Sequence, residues 1–555
     1  MATPNLILTG FMGTGKSTVG HAVADVLGRP FVDLDDLLVE RSGRDIPRIF
    51  AELGVVAFRQ LEAAAVDEIA EQSGLVVATG GGTIVSSRNR RALARSGVLI
   101  CLRAEPSEIE GRLHRPGGRP MLQGAPPHHD PQAGPAWTAE LRRLLDGRAH
   151  AYSRVPHQLD TTGRSVSEVV AEVVELARHV APQPEPTYES IRLDVRAPDG
   201  TYPIVFDPVE TLGLLLREQG LTGRVAIVTN ETVGRLYALP LQADLAVAAF
   251  DTVVLTVADG EQYKTLASAE ALYTQLLEHG FDRSSTVVAL GGGVIGDLAG
   301  FVAATYMRGL PFVQVPASLL AMVDASVGGK VAVDHPRAKN LIGAFKQPAA
   351  VLMDTDLLAT LPEREWRCGF AEVVKHGLID SPELFERLER CAAAFSAGLP
   401  AETTGRAGAC TGRAIIRDAV AVKVRVVEED PYERGRRAVL NLGHTFAHAF
   451  EILSEFEIAH GEAVAIGLVA ACRLSALLGH APPSLPQRVE TLLDRLGLPT
   501  RFRHAPPEAV WEVMQRDKKK VGRQLRFVLA REVGDVFVSA AVPREAVLGI
   551  LAELS

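Results

Sequence analysis

Cysteine is scarce: five in 555 residues, at Cys101, Cys368, Cys391, Cys410 and Cys472, with no Cys-x-x-Cys pair. An odd, scattered set fits reduced, buried thiols in a cytosol rather than a disulfide framework, and no chemistry is assigned to it. Long apolar runs are missing too. No stretch of about 18 residues is free of charge, which argues against a bilayer span. Nor is there an excess of positive charge: 58 Lys and Arg stand against 67 Asp and Glu, a formal net charge of −9. A nucleic acid or an anionic membrane needs a basic face, so neither is expected as a partner, although local basic pockets remain open. The N-terminus lacks a cationic leader and a small-residue cleavage site, so export is not expected and a cytoplasmic location is. No internal repeat is visible.

What is present is ordinary globular composition, 47% hydrophobic and 23% charged. At about 100 to 200 residues per domain the length predicts three to four folding units. The clear break is Val180-Ala-Pro-Gln-Pro-Glu-Pro-Thr187, which can form neither helix nor central strand and reads as an extended linker. A second Pro/Gly/His-rich segment, Arg115 to Pro135, reads as a long surface loop of the kind that serves as a lid. Before the linker, apolar runs at Asn5 to Thr9, Leu75 to Thr79 and Val98 to Leu102 alternate with helix-like stretches such as Lys16 to Leu27. That is the rhythm of a parallel α/β sheet. It continues after the linker through Val225 to Thr229, Val253 to Val257, Val287 to Leu290 and Phe312 to Pro316, then fades near 355. Helical spacing dominates from there to about 500, predicting an α/β half followed by a mostly helical half.

Gly10-Phe-Met-Gly-Thr-Gly-Lys-Ser17 fulfils G-x4-G-K-[ST] between a strand-like and a helix-like run. Such a loop lets backbone N–H groups converge on phosphate oxygens, with Lys16 reaching the β and γ phosphates and Ser17 a Mg²⁺. In Phe31-Val-Asp-Leu-Asp35 a strand would put Asp33 and Asp35 on one face, as magnesium and hydroxyl partners; a helix cap is the competing reading. Phe58-Arg59 follows, then Thr79-Gly-Gly-Gly82, where bare backbone can approach a ligand, and two arginines, Arg119 in the lid segment and Arg148 on a helix.

On these residues, with Glu62, Arg119-Pro120-Met-Leu122 and Tyr152, positions 1–178 resemble shikimate kinase. The resemblance implies ATP with Mg²⁺ on Gly13, Thr14, Gly15, Lys16, Ser17 and Thr18, with Arg119 and Arg164 also at the nucleotide and Asp33 joining Ser17 at the metal. It implies that Asp35 takes the hydroxyl proton and that Arg59, Arg148 and Gly81 hold the acceptor carboxylate. Val55 departs from the family's usual Glu, and the lid is enlarged.

Thr286-Val-Val-Ala-Leu-Gly-Gly-Gly-Val-Ile-Gly-Asp297 reads as a buried strand entering a glycine turn and a helix, a cradle for a pyrophosphate. Asp259-Gly-Glu-Gln-Tyr-Lys264 supplies a charged rim, while Val323 to Lys330 and Lys339-Asn340 set lysines among apolar and Gly-rich sequence, where a cation calls for an anion. If Leu440 to Glu451 is one helix, Asn441, His444, His448 and Glu451 fall within an arc of about 80°. Spacing alone makes His444 with His448 the metal pair, with Glu372, Lys375 and His460-Gly-Glu462 as further candidates.

Positions 187–555 resemble 3-dehydroquinate synthase, on Asp259 to Lys264, Gly291 to Asp297, Tyr306-Met-Arg308, Asp324 to Lys330, Lys339-Asn340, Glu372, Lys375, Lys423, Arg437 to Asn441 and Asp517-Lys518-Lys519. That resemblance moves the metal, Zn²⁺ or Co²⁺, to Glu372, His444 and His460 and makes His448 a substrate-facing residue. It implies NAD⁺ at Asp259, Glu261, Lys264, Gly292, Gly293, Val294, Asp297, Ser318, Lys330, Lys339 and Thr360. The sugar acid phosphate would meet Arg308, Asp324, Lys330, Asn340, Lys375, Lys423, Arg437, Asn441, His448 and Lys518; of these Lys330, Lys375, Arg437, Asn441 and His448 would be catalytic. Ala317 departs from the family's usual Thr.

The expected fold class is therefore α/β: a P-loop kinase domain at 1–178, a Pro-rich linker at 179–187, a Rossmann-like NAD-binding domain at 188–355 and a mainly helical metal-binding domain at 356–555. A homodimer through the synthase part is implied by the resemblance. Competing readings are a metal-dependent alcohol dehydrogenase for the second half, another small-molecule kinase such as gluconate kinase for the first, and a binding pseudoenzyme for the whole.

Overall fold

Asn5–Gly10 is a wholly buried strand, and alternating aliphatic residues put Ile7 into one side layer and Leu6 and Leu8 into the other. In the computed structural model, which describes residues 3–113, 134–183, 190–395, 411–455, 457–519 and 525–554, it is the centre of a five-stranded sheet. The order is Phe31–Asp33, Val76–Ala78, Asn5–Gly10, Gly97–Arg103, His157–Asp160. Every pairing is parallel, with Leu6 opposite both Val76 and Val98. Neither flanking strand follows Asn5–Gly10 directly in the chain, so the crevice at its C-terminal end stays clear of the crossovers, which is where open α/β sheets bind ligands. The helix leaving that end, Lys16–Leu27, buries Val19, Val23 and Ala24 against Val169, Val170, Val173 and Val174 of helix Val166–His179.

A second sheet has seven strands in the order Ile191–Ala197, Gly200–Phe206, Ala350–Leu352, Phe312–Pro316, Thr286–Gly291, Val225–Asn230, Thr252–Val257. Its first two strands pair antiparallel as a hairpin, and the other described pairings are parallel. Helices then dominate from Glu363–Asp380 to Arg544–Glu553, interrupted by the hairpin Phe527–Glu532 with Asp535–Ser539. Helix His460–Leu477 is apolar on all sides because it lies in the middle of this core; among the described residues it is the one helix long and apolar enough to cross a bilayer, and most of it is buried.

By packing, the chain divides into two compact units: 1–189 with 209–259 and 275–286, and 190–208 with 260–274 and 287–555. Residues 209–259, expected in the NAD-binding domain, thus pack with the N-terminal unit. Cys101, Cys368 and Cys472 are buried free thiols whose pKa burial raises, whereas Cys391 is disulfide-bonded, contrary to the expectation of reduced thiols throughout.

Candidate active sites

The phosphate loop turns on backbone that only glycine adopts easily. Gly10 has φ +133°, and a Cβ there would meet the Leu102 carbonyl oxygen at 2.2 Å. Gly15, at φ +95°, caps helix Lys16–Leu27 with no side-chain hydrogen bond, so the first-turn N–H groups and the positive end of the helix dipole are left for an anion. The buried Lys16 ammonium donates to the Phe11 carbonyl at 3.1 Å, an acceptor it shares with the Thr14 hydroxyl at 2.8 Å. Arg112, which no sequence pattern flagged, steadies the far side of the loop by donating to the Gly13 carbonyl at 3.3 Å and the Thr161 hydroxyl at 3.1 Å. Arg164 is turned toward the Asp160 carbonyl at 3.1 Å and Glu172 at 2.8 Å.

Asp33 and Asp35 do not alternate on one strand as expected. The strand ends at Asp33, whose carboxylate caps helix Leu34–Ser42 by accepting the Asp35 N–H at 3.0 Å, so Asp35 stands in the helix's first turn. The two readings combine, because the other Asp33 oxygen accepts the Ser17 hydroxyl at 2.6 Å. Opposite them, two buried arginines converge on the glycine run. Arg59 donates to Glu62 at 2.5 Å and to the Gly82 carbonyl at 3.1 Å, and Glu62 in turn accepts the Thr83 hydroxyl at 2.8 Å. A Cβ on Gly82 would come within 3.0 Å of the Arg59 guanidinium, so a side chain there would press on that arginine. Arg148, 2% exposed, lies over the Phe11 ring and donates to the Gly81 carbonyl at 3.1 Å, beside the Tyr152 hydroxyl. Its Nε has no hydrogen-bond partner, and among the described residues no carboxylate neutralises it. A buried guanidinium in that position is a ready partner for an anionic ligand. Arg119 and nearly all of the lid segment lie outside the described residues, and Val55 is exposed just past a kink at Gly54.

In the second sheet, Gly292 caps helix Gly293–Thr305 without a side-chain bond, leaving the N–H groups of Gly293 and Val294 at its mouth. Buried Lys264 donates to Asp297 at 2.6 Å and also to Asn340, tying that helix to the hairpin Lys330–His335 with Ala338–Phe345. Burial raises the Asp297 carboxyl despite this partner. Asp259 is held by Asn230 and by the Thr232 hydroxyl at 2.5 Å; Glu261 stands 3.8 Å from Lys264. The Ser318 hydroxyl accepts the Ala321 N–H at 3.3 Å, and the neighbouring Ala317 N–H donates to the Gly291 carbonyl at 2.9 Å. Lys339, Thr360 and Arg308 are exposed.

The expected single helix from Leu440 does not form. Asn441 ends a short 3-10 turn, Gly443 takes left-handed backbone, and the helix begins at His444, so Asn441 leaves the polar stripe. His444 and His448 stay neighbours, with rings 5.7 Å apart, but the atoms that converge are different. Glu372 Oε1 faces His444 Nε2 and His460 Nε2, each at 3.6 Å, and all three ligand atoms lie within 4.8 Å of one another. Each imidazole is oriented from behind: His444 Nδ1 lies 3.2 Å from the Leu442 carbonyl and His460 Nδ1 3.4 Å from Glu451. With one proton on each ring, at Nδ1, as a bound cation would require, two Nε2 lone pairs and a carboxylate oxygen point at one place, the donor set and second shell of a divalent cation site. Glu372 is fully buried, and neither of its oxygens accepts a hydrogen bond of good geometry. Burial pushes its pKa up, and Lys375 beside it outweighs that and holds it well below the carboxylate range. His460 is moved the other way, to about 10: burial would lower it, and Glu372 and Glu451 more than compensate. Glu451 was read from the sequence only as part of the polar stripe.

Around this cluster lie three buried cations, Lys375, Lys423 and Arg437. Lys423 pairs with Asp324 at 2.5 Å; burial alone would raise Asp324, and the two lysines hold it low. Arg437 donates to the carbonyls of Pro431 at 2.7 Å and Gly328 at 3.1 Å, with no carboxylate on its guanidinium among the described residues. Lys330 pairs with Glu433 at 2.5 Å, which also accepts from Asn441 at 3.4 Å. Glu433, at φ +55°, was not singled out in the sequence because its partners come from distant segments. His448 is exposed at the edge of the cluster, and the Lys518 side chain lies outside the described residues. His376 is fully buried with neither ring nitrogen hydrogen-bonded; burial, then Lys375, lower it to about 3 and keep it neutral.

The family model for shikimate kinase matches residues 12–178, that for the N-terminal part of 3-dehydroquinate synthase 254–368, and that for its C-terminal part 369–520. The 3-dehydroquinate synthase of Halorhodospira halophila is 48% identical over 355 residues, covering 64% of this chain and 96% of that protein. That of Pelobacter propionicus is 44% identical over 349 residues, 62% of this chain and 95% of the relative. Among solved structures, 2-epi-5-epi-valiolone synthase from Streptomyces hygroscopicus, with NAD⁺ and Zn²⁺ bound, superimposes with a TM-score of 0.58 at 28% identity, covering 64% of this chain and 96% of that one.

Proposed function

Since the chain belongs to the 3-dehydroquinate synthase family and carries a shikimate kinase domain ahead of the synthase domains, we propose that its two activities run in two separate sites, one on either side of the proline-rich stretch 179–187. Its reactions are the phosphorylation of shikimate and the formation of 3-dehydroquinate with release of phosphate from a seven-carbon sugar acid phosphate. In sequence the kinase is assigned to 1–178 and the synthase to 188–355 and 356–555, although 209–259 and 275–286 pack with the N-terminal unit.

In the kinase, the N–H groups of 13–18 take the phosphates of MgATP, and Lys16 exchanges the Phe11 carbonyl for the β and γ phosphates. Ser17 and Asp33, already hydrogen-bonded, hold the magnesium of the nucleotide. Arg148, with no carboxylate on it among the described residues, and Arg59 take the shikimate carboxylate at Gly81, and Asp35 accepts the proton of the hydroxyl that attacks. Arg119 closes over the transferring phosphate, and Arg164 borders the nucleotide.

In the synthase, Gly292, Gly293 and Val294 receive the pyrophosphate of NAD⁺, bordered by Asp259, Glu261, Lys264, Asp297, Ser318, Lys330, Lys339 and Thr360. Glu372, His444 and His460 hold Zn²⁺ or Co²⁺; when bound, the ion polarises the alcohol and NAD⁺ takes up and returns a hydride. The chain's own part is to bind and orient. Lys330, Lys375, Lys423, Arg437, Arg308 and Lys518 neutralise the phosphate and carboxylate of the substrate, while Asp324, Asn340, Asn441 and His448 orient its hydroxyls. Bound NAD⁺ and Zn²⁺ in the valiolone synthase support this assignment. The likeness to the synthase family also carries the proposal of a homodimer through the synthase part and of a cytoplasmic location.

The observation that carries the synthase reading is Glu372 Oε1 faced by two imidazole Nε2 atoms at 3.6 Å. The test is to strip the full-length protein with a chelator, remove the chelator and restore Mg²⁺. Phosphate release should then be lost and return with Zn²⁺ or Co²⁺, while shikimate phosphorylation is undisturbed. Phosphate release that survives stripping, or net NADH accumulation, contradicts the reading.

A further inference from the structure

Within the first compact unit, Asp244 on helix Leu239–Val247 is 4% exposed, and its carboxylate accepts the Ser86 hydroxyl at 2.6 Å. The same carboxylate lies 3.4 Å from the Ser87 N–H and 3.5 Å from the Arg88 N–H. Those are the opening donors of helix Ser87–Ser96, whose own cap, Ser86, accepts the Asn89 N–H at 3.2 Å. A carboxylate from outside the kinase match, which ends at 178, therefore completes the N-terminus of a kinase helix. A nearly buried contact, Arg91 with Glu210 at 2.7 Å, repeats the connection one turn on. Val85, Ala151 and Ala243 form a small buried apolar cluster in the same contact, with Leu239 packed against it.

The kinase residues in this contact adjoin the acceptor groups. Val85 and Ser86 follow directly on the Gly80–Gly82 run through the turn Thr83–Val85, and Ala151 sits between Arg148 and Tyr152, both of which donate to the Gly81 carbonyl. Helix Leu239–Val247 thus grips, from behind, both segments that shape the acceptor pocket. We infer that Asp244 is a positioning residue for shikimate phosphorylation, holding the Gly81 loop in register through Ser86. The inference rests on the reading that Arg59, Arg148 and Gly81 hold the shikimate carboxylate.

The experiment uses the full chain and the variants Asp244→Asn, Ser86→Ala and their combination. Each single change should raise the KM for shikimate about fivefold, with kcat and the KM for ATP within about twofold and synthase turnover unchanged. The double variant should fall short of the product of the two single effects, because both changes weaken the same Asp244–Ser86 contact. Unchanged KM for shikimate, or effects that multiply, overturns the inference. If Asp244→Asn does not fold, Ser86→Ala decides alone on the same criterion. Arg59→Ala separates the two ideas: if it leaves that KM unchanged, the acceptor-site reading fails, and if it raises the KM while the Asp244 and Ser86 variants do not, only the role of Asp244 fails.

Discussion

The two sites meet the same problem, holding anions on an acidic protein, with different materials. The kinase loop leaves the backbone N–H groups at the start of one helix without a side-chain cap, a cradle suited to phosphate that needs few charged side chains. The synthase gathers Lys375, Lys423 and Arg437 from three separate segments and buries them beside Asp324 and Glu372. A backbone cradle is contiguous in sequence and tolerant of the fold around it. A side-chain cradle exists only when distant segments meet, and its buried charges depend on one another.

The contrast can be broken most directly by Lys16→Ala and His444→Ala. Steady-state assays of both reactions on the full chain should show the first variant losing about 10³-fold or more in kinase turnover and the second a similar factor in the synthase, each sparing the other activity. Loss of both activities from either change, with folding intact, would merge the sites. Next in size, Glu451→Ala should weaken metal affinity by about 10- to 100-fold, measured by calorimetric titration, because it removes the acceptor that orients His460. Metal affinity should also rise with pH, since without an ion Glu372 and Glu451 hold the His460 pKa at about 10 and binding must displace that proton. Titrations at about pH 6 and 8 would show it; equal affinities would contradict it.

The smallest effect concerns stability. Burial raises Glu210 from 4.5 to about 7, so the folded chain holds this proton after the unfolded chain has lost it. The protonated side chain is favoured in the fold, and this contribution to stability is lost as pH rises from about 4.5 to about 7. Glu210→Gln should flatten that part of the melting profile by about 2 to 4 °C, seen by thermal denaturation across the window.

Legibility in the sequence followed the same contrast. The phosphate loop, with strand, turn and helix in one run of residues, was readable from spacing alone. Asp33 and Asp35 were readable as a pair but not in geometry, because period two assumed a strand where Asp33 caps a helix. In the second half, helical spacing pointed to His444 with His448, and the fold joins His444 to His460 on another helix and Glu372 on a third. Residue spacing reports neighbours on one helix; these ligand atoms meet through the packing of three. Glu433, Arg112 and Asp244 act through partners on segments remote in sequence, which no local pattern encodes.

The most direct test of two separate sites, the second built on Glu372, His444 and His460, is the visible absorption of Co²⁺ added to the metal-free full-length protein. One equivalent should give a ligand-field band that persists in His448→Ala and in Lys16→Ala and vanishes in His460→Ala. A band kept by His460→Ala and lost by His448→Ala would contradict the account.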